Sequence, residues 1–296
     1  MQQFLDRQKA GTLTYINKTV NDFWNQVLHF AETTTAHVGD RLLQFGGFQA
    51  MEKHDGSLVT QADQWADGEL RRAIAAAFPE HGVLSEEVEH IFPATDWCWI
   101  IDPIDGTTNF ARGLPIWGIS LGLLYCGTPV FGYVHLPPLQ QSFYGYWYGN
   151  SGLEGPTGAY LNHQPIHVST DAPSGNHFFN LCARSTEVLQ NPFPAKIRML
   201  GVATYNLLTV AAGWSLGGVE ATPKIWDIAA VWAIVQAAGA VWLPLESEPI
   251  FPLQPGQDYS QRPYPTLVVS QEKWVPLFYP LVQSVGKSVA ESTRKG

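Results

Sequence analysis

Cysteine is scarce in this chain. Cys98, Cys126 and Cys182 are the only three among 296 residues, widely separated and odd in number. They form no CxxC pair, and the nine histidines contain no HExxH. A disulfide framework and a thiolate zinc site are thereby excluded, and a reducing compartment, the cytoplasm, is the expected location. Runs of Lys or Arg are also missing. With 17 basic against 26 acidic residues the formal net charge is −9, which excludes a broad nucleic-acid surface. The opening stretch MQQFLDRQKAGTLTY has neither an apolar core nor a small-residue cleavage site, so no signal peptide is expected. Residues 228 to 245, IAAVWAIVQAAGAVWLPL, come nearest to a membrane span. Gly239 and Pro244 interrupt them, so the stretch is expected to be a buried helix, a tight turn and a buried strand, with no membrane partner.

Hydrophobic material is plentiful: 45% of the chain is apolar, with 11 Trp, 11 Tyr and 15 Phe. That much apolar surface folds a globular protein, either one large domain or two lobes sharing an interface. Apolar spacing predicts a long helix or a broken pair over 18–50. A second helix starts at Thr60 or Asp63 and is stopped by Phe78-Pro79. Trp97 to Ile101 is a short apolar run that delivers Asp102. Between Ile116 and Tyr148 three alternating segments separated by Gly and Pro turns predict an antiparallel sheet. The glycine-rich GNSGLEGPTG (149–158) is expected to be a lobe junction or an exposed hairpin. A strand at HFFNLCA, helices at 204–212, 226–238 and 271–289, and no internal repeat complete a mixed α and β protein. The expected division is an N-terminal lobe, 1–150, carrying the acidic motifs, and a C-terminal lobe, 151–296, closing over them.

The chemistry concentrates in DPIDGTTNF, residues 102 to 110. Asp102 and Asp105 flank Pro103, which fixes φ and disfavours a helical Asp102, so a sharp turn is expected after the strand. Two carboxylates this close raise each other's pKa unless a cation lies between them. Hard dications take oxygen ligands, and Mg²⁺ in particular combines a few carboxylates with water and substrate phosphate. A solvated acidic turn that caps the next helix explains the same pair. Glu86 and Glu87 in VLSEEVE, and Asp227 after Trp226, add further acids, although Asp227 also suits the first turn of a helix. Gly106 permits close backbone approach, and successive amides at Gly106-Thr107-Thr108 suit an anion. Together these are parts for metal-assisted phosphoryl transfer to water.

DPIDGTTNF, with SEE upstream and WDIAA downstream, resembles the inositol monophosphatase family of Mg²⁺-dependent, lithium-sensitive phosphatases. The likeness runs from DGSLVTQAD (55–63) to AAGAV (237–241). It implies a layered α/β/α/β/α sandwich of the sugar-phosphatase type, α+β or α/β in class, a homodimer, and two or three Mg²⁺ ions. By resemblance Glu86, Asp102, Asp105, Asp227 and the Ile104 carbonyl hold metal. The amides of Gly106 and Thr107 hold phosphate, and Thr107 activates the attacking water. Ala203, Glu220 and Asp227 meet the polyol part of the substrate. The family pairs this threonine with an aspartate near the VT motif, and Asp55 is the expected partner, because Ser57 fills the nearer offset. Gln236 replaces a common acid, and His163 replaces the glycine of a usual NG.

The implied substrate is a small phosphate monoester like inositol monophosphate. Histidinol phosphate, a sugar phosphate such as fructose bisphosphate, and adenosine bisphosphate are alternatives. Two rivals stand further off. GISLG (118–122) fits the G-x-S-x-G elbow of serine hydrolases, with Asp171 and His177 downstream. That motif needs a strand, a turn and a helix, whereas Ser120 lies inside an alternating strand pattern. A protein-binding scaffold would be free to lose its ligands, yet this chain keeps Glu86, Asp102, Asp105, Thr107 and Asp227 together.

Overall fold

The computed structural model describes residues 2–45, 51–52, 58–59, 61–188 and 192–286. In chain order it opens with helix α1 (Gln2–Gln44), a short ribbon of β1 (Met51–Glu52) and β2 (Leu58–Val59), and helix α2 (Gln61–Ala77). Strands β3 (Gly82–Ser85) and β4 (Trp97–Asp105) lead to the short helix α3 (Thr107–Ala111). Then follow β5 (Gly118–Tyr125), β6 (Thr128–Leu136), β7 (Gln141–Tyr146), β8 (Gly158–Leu161) and β9 (Gln164–Ile166). The remainder comprises β10 (Phe178–Leu181), β11 (Lys196–Arg198), α4 (Ala203–Ala211), β12 (Gly217–Glu220), α5 (Ile225–Ala237), β13 (Val241–Pro244), β14 (Thr266–Val269) and α6 (Val275–Val282).

Strands β3 to β9 form one seven-stranded sheet in sequence order, antiparallel except for the parallel β3–β4 pair. A second sheet has five strands in the order β11-β10-β12-β14-β13. Three apolar clusters set the layers. On one face of the large sheet α1 and α2 bury Trp24, Val27, Ala31, Val38, Leu42, Leu70 and Ile74 against Trp99, Ile101, Leu121 and Phe131. On the other face α4 and α5 pack on Ile100, Leu124, Val134 and Phe143. The third cluster joins the outer face of the small sheet to Phe278 and Val282 of α6. Alternation along β4 sends Trp99 and Ile101 one way and Cys98 and Ile100 the other, as a strand buried on both faces requires. The order is α/β/α/β/α, the sandwich that the resemblance implies.

Several expectations change in detail. The first helix runs from Gln2 to Gln44 instead of 18–50; its stripe at Trp24, Val27, Ala31, Thr35, Val38 and Leu42 keeps helical spacing without a break. Residues 149–158 join β7 to β8 within one sheet, so they form a hairpin connection. The passage between sheets lies after Ile166, since β8 and β9 belong to the first sheet although they follow residue 150. Pro103 does not end its strand either. β4 continues to Asp105 through an irregularity between Asp102 and Asp105, a place where a ladder tolerates proline. The last helix starts later than 271: a 3₁₀ turn, Glu272–Trp274, leads into α6, residues 284–286 are helical again, and residues from 287 onward lie outside the described ones.

Helix α5 is apolar all round because it is covered on both sides by sheet. It ends at Ala237, Gly239 turns the chain with φ 87°, and β13 follows. Among the described residues no helix is long and apolar enough to cross a membrane. The approach of α5 to the large sheet depends on a row of glycines. Gly122 pairs with Gly132, and Gly132 with Gly145, across three strands. A Cβ at Gly132 would lie 2.0 Å from Ala230 O, one at Gly122 2.8 Å from Ala230 N, and one at Gly145 2.9 Å from Ile234 Cα. The helix backbone therefore rests directly on strand backbone.

Gly132→Ala should accordingly destabilise the protein by about 1–3 kcal/mol or more, through overpacking against the rigid α5 backbone. Gly68→Ala in α2, where an added methyl meets only Arg72 Nη2 at 4.0 Å, should stabilise it by about 0.5–1 kcal/mol. Urea midpoints of the two variants, moving in opposite directions from wild type, are the check.

Candidate active site

The acids reach the site from three elements: Glu86 from just after β3, Asp102 and Asp105 from the last part of β4, and Asp227 from the first turn of α5. β3 runs parallel to β4 with Ser85 opposite Ile101, and Glu86 N donates to Ile101 O at 3.2 Å, so Glu86 arrives beside Asp102. The Ser85 hydroxyl donates to Asp67 of α2, whose other oxygen accepts from Arg71 Nε at 2.8 Å. His90 Nε2 contacts Glu86 O at 2.8 Å while its ring lies 5.5 Å from that of Trp226, bracing the loop against the start of α5.

Asp102 is buried, and one of its oxygens accepts from Ile104 N at 3.0 Å, which curls the strand end. Asp105, also buried, accepts from Thr204 N at 2.8 Å, Thr204 Oγ1 at 2.5 Å and Ala203 N at 3.3 Å. It thus caps α4 from a strand nearly a hundred residues earlier. Asp227 is the third residue of α5; it accepts from Lys224 N at 2.6 Å, back at the helix N-terminus, so the expected first-turn role is real. Oxygens of Asp102, Asp105 and Asp227 lie within 4.8 Å of one another. Capping and clustering coexist here.

The electrostatics are severe without a counter-charge. Burial, then the charges of Glu86, Asp105 and Asp227, hold the Asp102 carboxyl well above the usual carboxylate range. Burial, then Asp105 and Glu86, do the same to Asp227. Burial lifts Asp105 to about 6 despite the opposing bonds from Thr204 and Ala203. A hard dication removes this repulsion, and the donor set is all oxygen, as such an ion requires. The residues present fit a metal of that kind.

At the end of β4 the chain turns through Gly106, at φ 90°, where a Cβ would lie 2.7 Å from Val202 Cγ2. Gly106 and Thr107 then open α3, whose first amides have no partner within the helix. Asn109 is buried and donates to Ile116 O and Leu200 O, both at 2.9 Å, tying this turn to the segment before α4. The Thr107 hydroxyl lies 3.2 Å from Asp63 Oδ1 and 3.0 Å from Ile104 O. Asp63, in the first turn of α2 and fully buried, is thus the acid beside Thr107. Asp55 lies outside the described residues.

Glu220 ends β12 in a buried position and accepts from Asn206 Nδ2 at 2.6 Å. Burial, against that hydrogen bond and with the Asp105 charge adding, lifts its carboxyl to about 8. Asp63, Thr204 and Asn206 escaped the sequence reading. The signal for Asp63 was present in VTQAD, an acid at the start of a helix on its buried side. The hydrolase elbow fails: Ser120 is buried in mid-strand with no hydrogen-bond partner among the described residues. His177 and Asp171 instead face each other at 3.4 Å at the surface.

The inositol monophosphatase family model matches residues 24–283. The fructose-1,6-bisphosphatase/inositol-1-monophosphatase of Thermotoga maritima is 33% identical over 208 residues, 68% of this chain and 77% of that one. The histidinol-phosphatase of Chlorobaculum parvum is 30% identical over 200 residues, 64% and 74% of the two chains. Among solved structures, the IMPase of Thermotoga maritima superposes with a TM-score of 0.71 at 29% identity, covering 90% of this chain and 98% of that one.

Because the raised carboxyls keep protons that the unfolded chain has already released, metal-free protein should lose stability as pH rises from about 4 to 8. The loss begins at the unfolded pKa values and continues through about 6 for Asp105 and about 8 for Glu220. Thermal scans in EDTA should show Tm falling over that range. Saturating Mg²⁺ should raise Tm more at pH 8 than at pH 5.

Proposed function

We propose, from the premise that this chain belongs to the inositol monophosphatase family, that it hydrolyses a small polyol phosphate resembling inositol monophosphate by direct attack of water on phosphorus. Enzymes of that family are phosphoric monoester hydrolases. The observation that carries the reading is the convergence of Asp102, Asp105 and Asp227 within 4.8 Å at the end of the strand that also delivers Thr107.

Glu86, Asp102, Asp105, Asp227 and the Ile104 carbonyl would hold the metal, two or three Mg²⁺ ions in this reading. When bound, such ions neutralise phosphoryl oxygens and acidify a water. The other roles belong to the chain itself. The amides of Gly106 and Thr107 receive the phosphate oxygens at the start of α3. Thr107 Oγ1 donates its proton to Asp63 Oδ1, which leaves its own lone pairs facing the attacking water. As oxygen bonds to phosphorus, the proton of the water passes to Thr107 Oγ1 and the threonine proton to Asp63. The bond from phosphorus to the ester oxygen breaks beside Asp227, that oxygen takes a proton from a second water to leave as the alcohol, and Asp63 returns its proton to solvent. Ala203 and Glu220 border the polyol, and Glu220, protonated at neutral pH, can donate to a substrate hydroxyl. A homodimer is part of the proposal, supported by the exposed Trp214, which lines an apolar cavity with Phe178, Leu200 and Tyr205. The cytoplasm is supported by three free cysteines.

Asp102→Asn should nearly abolish Mg²⁺-dependent phosphate release from inositol 1-phosphate while leaving a cooperative melt. Thr107→Val should lower kcat by about 10²–10⁴ with little change in KM, since an aligned water matters chiefly in the transition state. Asp63→Asn should do likewise, and the double variant should lose little more than either single one. Additive losses, or an effect confined to KM, would reassign the pair to substrate binding.

A further inference from the structure

We infer that Asp67 is a positioning residue for the metal: acting through the Ser85 hydroxyl, it holds the loop that carries Glu86 and so sets the affinity of the site for Mg²⁺ from helix α2. This rests on the metal-holding part of the reading above. Asp63 and Asp67 lie four residues apart on α2, so they share one face of the helix, and both are buried. That face meets two strand exits lying side by side, since β3 and β4 run parallel with Ser85 opposite Ile101. At the exit of β4, Asp63 meets the Thr107 hydroxyl. At the exit of β3, Asp67 accepts from Ser85, which is itself fully buried.

A serine hydroxyl has one proton and two acceptor sites. Here the proton goes to the Asp67 carboxylate, which turns an acceptor site toward the loop, and Glu87 N donates to Ser85 Oγ at 3.2 Å. The chain is thereby bent directly after Glu86. Further bonds tie the same loop: Ser85 N to Glu89 O at 2.8 Å, Glu86 N to Ile101 O at 3.2 Å, and His90 Nε2 with Glu86 O at 2.8 Å. Side-chain packing adds little, because Val88 and Glu89 are exposed. Restraint matters for Glu86 in particular. Its charge acts on Asp102, Asp105 and Asp227, and without a cation that repulsion favours swinging it away. Asp67 itself is a costly group to keep: its other oxygen accepts from Arg71 Nε at 2.8 Å, and a buried ion pair of this kind contributes little net stability. What the pair does supply is a fixed acceptor for Ser85. Groups that orient a metal's ligands in this way govern its affinity.

The test measures Mg²⁺ binding without substrate, by calorimetric titration of EDTA-stripped protein, in wild type, Ser85→Ala, Asp67→Asn and the double variant. An asparagine offers one acceptor oxygen and cannot serve both Ser85 and Arg71. Each single variant should raise the Mg²⁺ Kd by about tenfold to a hundredfold. The double variant should bind no more weakly than the weaker single one, because both changes break one connection. Asp67→Asn keeps the shape of the side chain, so its Kd decides the matter even if Ser85→Ala fails to melt cooperatively. A lowered Tm in EDTA with an unchanged Mg²⁺ Kd would make Asp67 a purely structural group and overturn the inference, as would losses of affinity that add in the double variant. Absence of Mg²⁺ binding by wild type would instead remove the metal-holding reading, and this inference with it.

Discussion

Repulsion among buried carboxylates is the constraint around which this molecule is arranged. Asp102 and Asp105, both buried, converge with the half-buried Asp227, and Glu86 is close enough to act on all three. In the absence of a cation the cluster relaxes by holding protons, and the raised carboxyls are that relaxation. The fold must therefore be stiff enough to keep the acids together when their charges favour separation. A site on flexible loops would splay. Here Glu86 directly follows β3, Asp102 and Asp105 lie in the last four residues of β4, and Asp227 lies in the first turn of α5.

The stiffness has identifiable sources. Asp105 holds both α4 amides and the Thr204 hydroxyl, so its oxygens are fixed by hydrogen bonds on one side and free on the other. Asp227 is fixed by the hydrogen bond it accepts from Lys224 N. The position of α5, and with it Asp227, is set by the glycine row Gly122-Gly132-Gly145, which lets the helix settle onto strand backbone. The sheet that carries Asp102 and the helix that carries Asp227 are thus registered by a contact remote from the acids themselves. Asn109 performs the same service for the phosphate turn, bridging to Ile116 and Leu200.

What could be read from the sequence follows from how local each signal is. DPIDGTTNF, the two glutamates after β3 and Asp227 are short-range patterns, and the structure brings Asp102, Asp105 and Asp227 together. The layered order needed the resemblance, because periodicity reveals a strand but not the sheet to which it belongs. Strands β8 and β9 illustrate this: a glycine-rich stretch before them suggested a lobe boundary, yet they complete the first sheet. Asp63 was missed for a related reason. Its contact with Thr107 spans 44 residues, while Asp55, the expected partner, lies outside the described residues. Long-range partners of side chains leave little trace in a single sequence.

The arrangement also explains how two demands on one carboxylate can be met together. A helix cap wants an ionised acid whose lone pairs face amides, and a metal wants the same oxygens. Asp105 and Asp227 each have two oxygens and about four lone-pair sites, while the caps use only part of them. Capping biases both acids toward the charged form, which the hydrogen bonds from Thr204, Ala203 and Lys224 oppose to the effect of burial. The caps therefore lower the proton competition that a dication must overcome, and they orient the remaining lone pairs before it arrives. Glu220 is the contrast. It has an amide partner in Asn206 but no helix to cap, and its carboxyl rises to about 8. Within one pocket, helix-terminal amides oppose the effect of burial at Asp105 and Asp227, whereas Asp102 and Glu220 have no helix to cap.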